Sequence, residues 1–209
     1  YLRSWAGVNP QTGLGQFLID PSKPATEDNL TYDYSKARTA PGKSAYPKVY
    51  GGLSNTFSYR GFTLSALLTY QFGGYLLDQF DVFAINDGQR PSMNASRLLV
   101  GDYWTPSNTS ANNPRPILGN PYRSGTISTR NLHSSDFIRL KELSLSYALP
   151  KSLTSRLGVS STSVSVTANN LAFLYAATKN RELEVALNGF RSLDIPALRT
   201  VSFGLNVGF

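Results

Sequence analysis

From Thr200 to Phe209 the side chains alternate without a break. Val201, Phe203, Leu205, Val207 and Phe209 share one parity, and Thr200, Ser202, Gly204, Asn206 and Gly208 the other. Successive side chains of a strand point to opposite faces, whereas the 3.6-residue period of a helix would mix the two sets. This segment is therefore read as a strand. One face carries only large apolar groups, the other only small or polar ones, so the strand separates two very different solvents.

The same pattern recurs. Val49, Gly51, Leu53, Asn55, Phe57 and Tyr59 alternate with Gly52, Ser54, Thr56 and Ser58; Phe62, Leu64, Ala66, Leu68, Tyr70 and Phe72 alternate with Thr63, Ser65, Leu67, Thr69 and Gln71. Arg60-Gly61 between these runs has the form of a two-residue hairpin turn. Leu143, Leu145 and Tyr147, then Val164, Val166 and Ala168, continue the series. Five strands are expected, near 47–60, 62–75, 136–149, 162–174 and 198–209. Each is about twice the 5–6 residues of an ordinary strand and long enough to cross a bilayer, which takes about 9–11 tilted residues.

The connections alternate too. Residues 1–46, 76–135 and 175–197 read as long loops, while 47–75 is a hairpin and 136–174 two strands joined by a turn. Long loops at one end and short turns at the other characterise outer-membrane barrels. Five strands cannot close one, since the smallest has eight. The fold class expected is all-β, an antiparallel transmembrane β-barrel segment belonging to a larger barrel. A soluble carbohydrate-binding module of lectin or adhesin type is the alternative, and the two differ in one respect. The module would pair its apolar faces into a dry core; the barrel would present them as one outward band with aromatic edges.

Composition removes other classes. Among 209 residues there is no Cys and one His, which excludes disulfide frameworks, thiol nucleophiles and multi-His metal sites. The net charge of +7 comes from scattered Lys and Arg without a basic run, so no nucleic-acid partner is expected. No stretch of 18 apolar residues offers a transmembrane helix. With no initiator Met and no signal peptide, the chain reads as a piece of a longer one.

No catalytic set emerges, and no cofactor or metal is expected. Adjacent residues such as His133-Ser134-Ser135-Asp136 do not make a triad by proximity in sequence. Glu182 and Glu184 read as a solvated face, and Asn86-Asp87-Gly88 as a turn without the spaced acids of a calcium loop. Candidate binding residues are Trp5, Tyr103 and Trp104, with Asp102 and Arg115 nearby, because aromatic faces beside polar groups hold sugars and peptides. Arg139 and Lys141 share the parity of Leu143 and Leu145, which places both near a membrane rim, since a charge facing lipid at mid-depth costs about 2–4 kcal/mol.

The segment Tyr46-Pro47-Lys48-Val49-Tyr50-Gly51-Gly52-Leu53-Ser54-Asn55-Thr56-Phe57-Ser58-Tyr59-Arg60-Gly61-Phe62-Thr63-Leu64-Ser65 resembles a hairpin of SusC/RagA-type TonB-dependent transporters of Bacteroidetes. Four other stretches resemble the same family in order: Trp5-Ala6-Gly7-Val8-Asn9-Pro10-Gln11-Thr12-Gly13; Asp102-Tyr103-Trp104-Thr105-Pro106 with Asn113-Pro114-Arg115-Pro116; Ser135-Asp136-Phe137-Ile138-Arg139-Leu140-Lys141; and Thr200–Val207. The resemblance implies the last five strands of a 22-stranded barrel in the bacterial outer membrane, surrounded by outer-membrane lipid. It implies a plug and a TonB box, neither within these residues, with TonB engaging that missing part and a SusD-like surface lipoprotein as lid. The cargo would be an oligosaccharide or peptide. Within that resemblance Trp104 reads first as packing loops together or meeting the lipoprotein. Phe203 and Phe209, on the closing strand, resemble the terminal aromatic signal by which such barrels are assembled; Phe209 reads equally well as an aromatic of the interfacial girdle, and strand counting places it at the periplasmic end.

Overall fold

The computed structural model describes residues 2–40, 42–179, 181–184, 188–193 and 195–209. The expected loops 1–46 and 175–197 thus lie partly outside the described residues, at 1, 41, 180, 185–187 and 194. In chain order the elements are β1 (Trp5–Val8), β2 (Gly15–Leu18), β3 (Leu30–Thr31), β4 (Val49–Tyr59), β5 (Phe62–Phe72), β6 (Tyr75–Asp78), α1 (Gln79–Ala84), β7 (Leu132–Ser134), β8 (Phe137–Ala148), α2 (Lys151–Thr154), β9 (Ser161–Ala176), β10 (Phe190–Arg191) and β11 (Thr200–Gly208). They fall into a sheet unit (Tyr46–Gly74, Ser134–Glu184, Ile195–Phe209) and a loop unit (Tyr1–Ala45, Tyr75–His133, Val185–Asp194).

The sheet unit holds one antiparallel sheet in the order β11-β9-β8-β5-β4. Its strands match the five expected from alternation to within about two or three residues at each end. Arg60 (φ 47°) and Gly61 (φ 87°) both adopt the left-handed region that a type I′ hairpin turn requires. Pairing carries the alternation across the sheet: Phe57, Leu64, Leu145, Val166 and Phe203 stand in one row. Ser58–Thr63, Thr56–Ser65 and Ser144–Thr167 pair on the other face, their hydroxyls 2.9–3.1 Å apart.

The apolar face has no partner among the described residues. Phe203 is 85% exposed and Phe57 66%, so the faces do not pair into the dry core that a soluble module would need. Aromatics mark both ends of this band: Phe62 stacks on Tyr147 at 4.3 Å near the turns, and Phe72 lies 6.2 Å from Tyr70 and from Tyr175 near the loops. Phe62 and Phe72 are ten residues apart on one strand. At about 3.3 Å per residue that is about 33 Å, or about 25 Å along the normal at a 40° tilt, the height of an outer-membrane apolar band.

One expectation needs correcting. Leu68 pairs with Leu140 and Leu67 with Glu142, which leaves Lys141 unpaired in a β-bulge. On the other side of β8, Asn170 (φ 53°) and Leu171 are unpaired in β9 opposite Lys141, and Leu174 is passed over at a second shift. The bulge shifts the parity upstream of Lys141. Arg139 pairs with Thr69 on the polar face and is only 3% exposed. It does not share a face with Leu143, and alternation alone could not register the extra residue.

The segments expected to be long loops contain structure. In the loop unit β1, β2 and β3 form one antiparallel sheet around Phe17, which is fully buried edge-on to Trp5 and Tyr34. A second sheet has the order β10-β6-β7, with β10 parallel to β6 and Leu76 fully buried. Asp78, also fully buried, caps α1 by accepting from the Phe80 N–H at 3.0 Å and binds Arg191 at 2.5 Å. Runs of two to four strand residues are too short for periodicity to show.

Candidate functional site

On the polar face of the sheet unit, four charges converge where β8 bulges. Arg139 Nη1 donates to Glu182 Oε1 at 2.9 Å and to Glu184 Oε2 at 3.0 Å, and Lys141 Nζ reaches both Glu184 oxygens at 2.8 Å. Leu183, between the two acids, is fully buried, and the Arg139 guanidinium lies 4.6 Å over the Phe173 ring. Arg139 Nε is buried without a hydrogen-bond partner. Glu182 and Glu184 are thus not a solvated face; they tie residues 182–184 to the wall.

In the loop unit the predicted residues Trp5 and Trp104 grip one turn. The Trp104 ring packs against Gly13, where a Cβ would meet Cδ2 at 2.4 Å, and its indole N–H donates to the Pro10 carbonyl at 2.9 Å. Gly15 packs in the same way against the Trp5 ring, with 2.5 Å from a would-be Cβ to Cη2. Only glycine fits at these two contacts, and Gly13 also has φ 70°.

A hydrogen-bonded chain links these residues. Asp102 accepts from the Asn112 and Asn113 side chains, and Asn113 Oδ1 accepts from Arg130 Nη2 at 2.7 Å. Arg130 also binds Asp87 with both terminal nitrogens, at 2.6 and 2.9 Å, and its guanidinium lies 4.9 Å over Trp5. Asp87 is 4% exposed and takes a further bond from Ser124 at 2.7 Å. A bidentate Arg–carboxylate pair is the strong form of this bond and fixes orientation as well as distance. Beside this network a mostly apolar cavity of ≈600 Å³ is lined by Ala84, Met93, Leu99, Val100, Tyr103 and Pro114 among others.

No protein-family model matches the chain. It is 25% identical over 169 residues to TonB-dependent receptor P3 of Formosa agariphila and 27% identical over 166 residues to TonB-dependent receptor P39 of the same organism. Each match covers 76% of this chain and 16% of the relative. Among solved structures, that of the RagAB peptide transporter matches all of this chain with a TM-score of 0.80 at 25% identity. That of the RagAB peptide importer in its open-open state matches with 0.78. The chain thus resembles TonB-dependent receptors in sequence and the RagAB transporter in fold. It spans about a sixth of the curated relatives' length and 22% of the RagAB chain it matches.

By this likeness the segment is an outer-membrane one, and the relatives carry receptor and importer names, not enzyme names. His133 bonds Asp81 at 2.8 Å rather than a neighbouring serine, and Asp136 accepts from the Gly73 N–H at 2.6 Å. Of the predicted binding residues, Trp5, Asp102 and Trp104 are engaged in loop packing, and Tyr103 lines the cavity. Arg115 is exposed, tied to the turn only by its backbone N–H to Gly13. Phe203 and Phe209 are exposed on the sheet unit. Sequence reading missed Arg130; the signal available was Asp87 in its Asn86-Asp87-Gly88 turn, an acid that needs a cation once buried. Two acids of the loop unit have carboxyl pKa values held below the ordinary range by local donors: Asp20 by the Ser22 hydroxyl, and Asp33 by that of Ser35.

Proposed function

We propose that these residues are the last five strands of a 22-stranded barrel that imports oligomeric nutrients, glycan or peptide, across the outer membrane. Transport is energised by TonB through the N-terminal part of the parent chain, with a SusD-like surface lipoprotein as lid. The long connections face outside, and the Arg60-Gly61 turn and Phe209 face the periplasm. The observation that carries the reading is the unpartnered apolar face, bounded by aromatics at both ends and backed by a polar face. A lipid bilayer covers such a face; a water-filled, cargo-conducting lumen suits the other.

The residues Trp5, Asp102, Tyr103, Trp104 and Arg115 belong to the side from which cargo arrives. In this reading Trp5, Asp102 and Trp104 shape the entrance, while Tyr103 and Arg115 present groups to cargo or lid. Phe203 and Phe209 serve assembly, and a Phe209 deletion lowers the amount of folded barrel in the outer membrane.

Two tests apply. A strain lacking the parent gene grows normally on a monomeric nutrient and fails on the matching oligomer; normal growth on every oligomer tried overturns the importer reading. An epitope inserted between Arg60 and Gly61 stays hidden on intact cells, whereas one inserted after Asn94 is labelled; the reverse pattern overturns the sidedness.

A further inference from the structure

We propose that the cavity beside Tyr103 is a recognition subsite for a carboxylate carried on an apolar body, as at the free C-terminus of a short peptide ending in an apolar residue. The inference rests on the importer reading and specifies one part of its cargo. Three observations carry it. The cavity, at ≈600 Å³, is of ligand size, and its floor is apolar, formed by Ala84, Met93, Leu99, Val100 and Pro114.

Second, its polar groups are unequally engaged. The acid in the lining, Asp87, is spent on Arg130 and Ser124. Asn86 donates to the Phe83 carbonyl at 2.6 Å and accepts from the Arg90 N–H, and Ser96 caps the turn at Leu98. What is left is cationic. Among the described residues, the Arg90 and Arg97 guanidinium groups and the Tyr103 hydroxyl form no hydrogen bond or ion pair.

Third, Arg90 is held in place: its guanidinium lies 4.4 Å over the Phe83 ring, so little side-chain freedom is lost when it meets an anion. Two unneutralised guanidinium groups and a phenol beside an apolar floor form an anion receptor with a greasy pocket attached. A neutral glycan would leave both cations unpaired, and a charged glycan would leave the apolar floor unfilled. A peptide carboxylate next to an apolar side chain uses both.

The test uses the purified full-length transporter in detergent and three probes followed by calorimetry: N-acetyl-Leu-Leu with its free carboxylate, its C-terminal amide, and tetragalacturonate. The free acid is expected to bind about tenfold or more tighter than the amide, the size of a charge-assisted hydrogen bond, and tighter than the uronate. Arg97→Gln, at an exposed position, removes most of the acid–amide difference and leaves the amide unchanged; Arg90→Gln does the same. Equal binding of acid and amide overturns the carboxylate site, and equal binding of the uronate overturns its apolar half. If none of the probes binds while cells still import an oligomer through this transporter, the subsite is wrong and the importer reading stands. Absence of oligomer uptake in cells sinks that reading itself.

Discussion

In the loop unit Phe17 and Leu76 have no exposure, and Asp78 and Asp87 are buried against arginines; in the sheet unit Phe57 and Phe203 face outward, and hydroxyls line the opposite face. The same residue types are sorted in opposite directions. The first unit sorts them as water-soluble domains do, apolar groups inward and buried charges paired. In the barrel proposed above, lipid replaces water on one side of the second, and its phenylalanines gain by pointing out. Burial in the sheet unit is therefore a poor guide to which side chains stabilise it.

The largest effect should come from breaking the loop unit's core. Phe17→Ala costs about 3–5 kcal/mol because it leaves a cavity between Trp5 and Tyr34, whereas Phe203→Ala loses only the transfer term of about 1.5–3 kcal/mol, since lipid chains flow into the gap. Hydrogen exchange should report the first as local opening of β1–β3, and urea refolding of the full-length barrel into lipid should report the second. Equal losses would erase the distinction between the two units. A step down in size, Leu143→Arg on the apolar face costs about 2–4 kcal/mol at mid-band, and Ser144→Arg, one residue on but facing the other way, about 0.5 kcal/mol or less; the same refolding titration separates them.

The charge cluster is next. Glu182→Gln with Glu184→Gln leaves Arg139 buried and unpaired, which costs about 3 kcal/mol in a fully dry site and less here because Glu184 is a third exposed. The release should appear as faster trypsin cleavage at Lys179 and Arg181. The smallest effect is Ser22→Ala in the loop unit. Without the hydroxyl that holds it down, the Asp20 pKa rises towards the ordinary carboxylate value, visible in a carboxylate NMR titration. A depressed pKa lends stability above the unfolded value and loses it as pH falls through the folded one, so the variant forfeits that small margin at neutral pH and the difference from the parent closes in acid.

Most of the sheet was legible because a strand between two solvents writes its face assignment into every second residue. The register was not. Lys141 interrupts the period of β8, and Arg139 upstream of it was given the parity of Leu143 although it lies on the other face. In the candidate site, the aromatic and polar types at Trp5, Asp102, Tyr103 and Trp104 drew attention to loops that pack on one another, but their roles could not be separated by type. Trp104 lies on Gly13 across 91 residues of chain, and Arg130 meets Asp87 across 43. Contacts of that span are made by the fold and leave no local mark.

The bulge at Lys141 also works as a phase marker in β8. Loss of a single residue elsewhere in the strand would turn one of its flanks over, sending serines into lipid and leucines into the polar side. Loss of Lys141 alone would join Leu140 to Glu142 with each facing as it does now. The strand thus has one position where its length can change by a residue while its two-sided script stays in frame, and it lies where the strand reaches for Glu184. Length variation in this wall is most readily accommodated where the strand holds the loop.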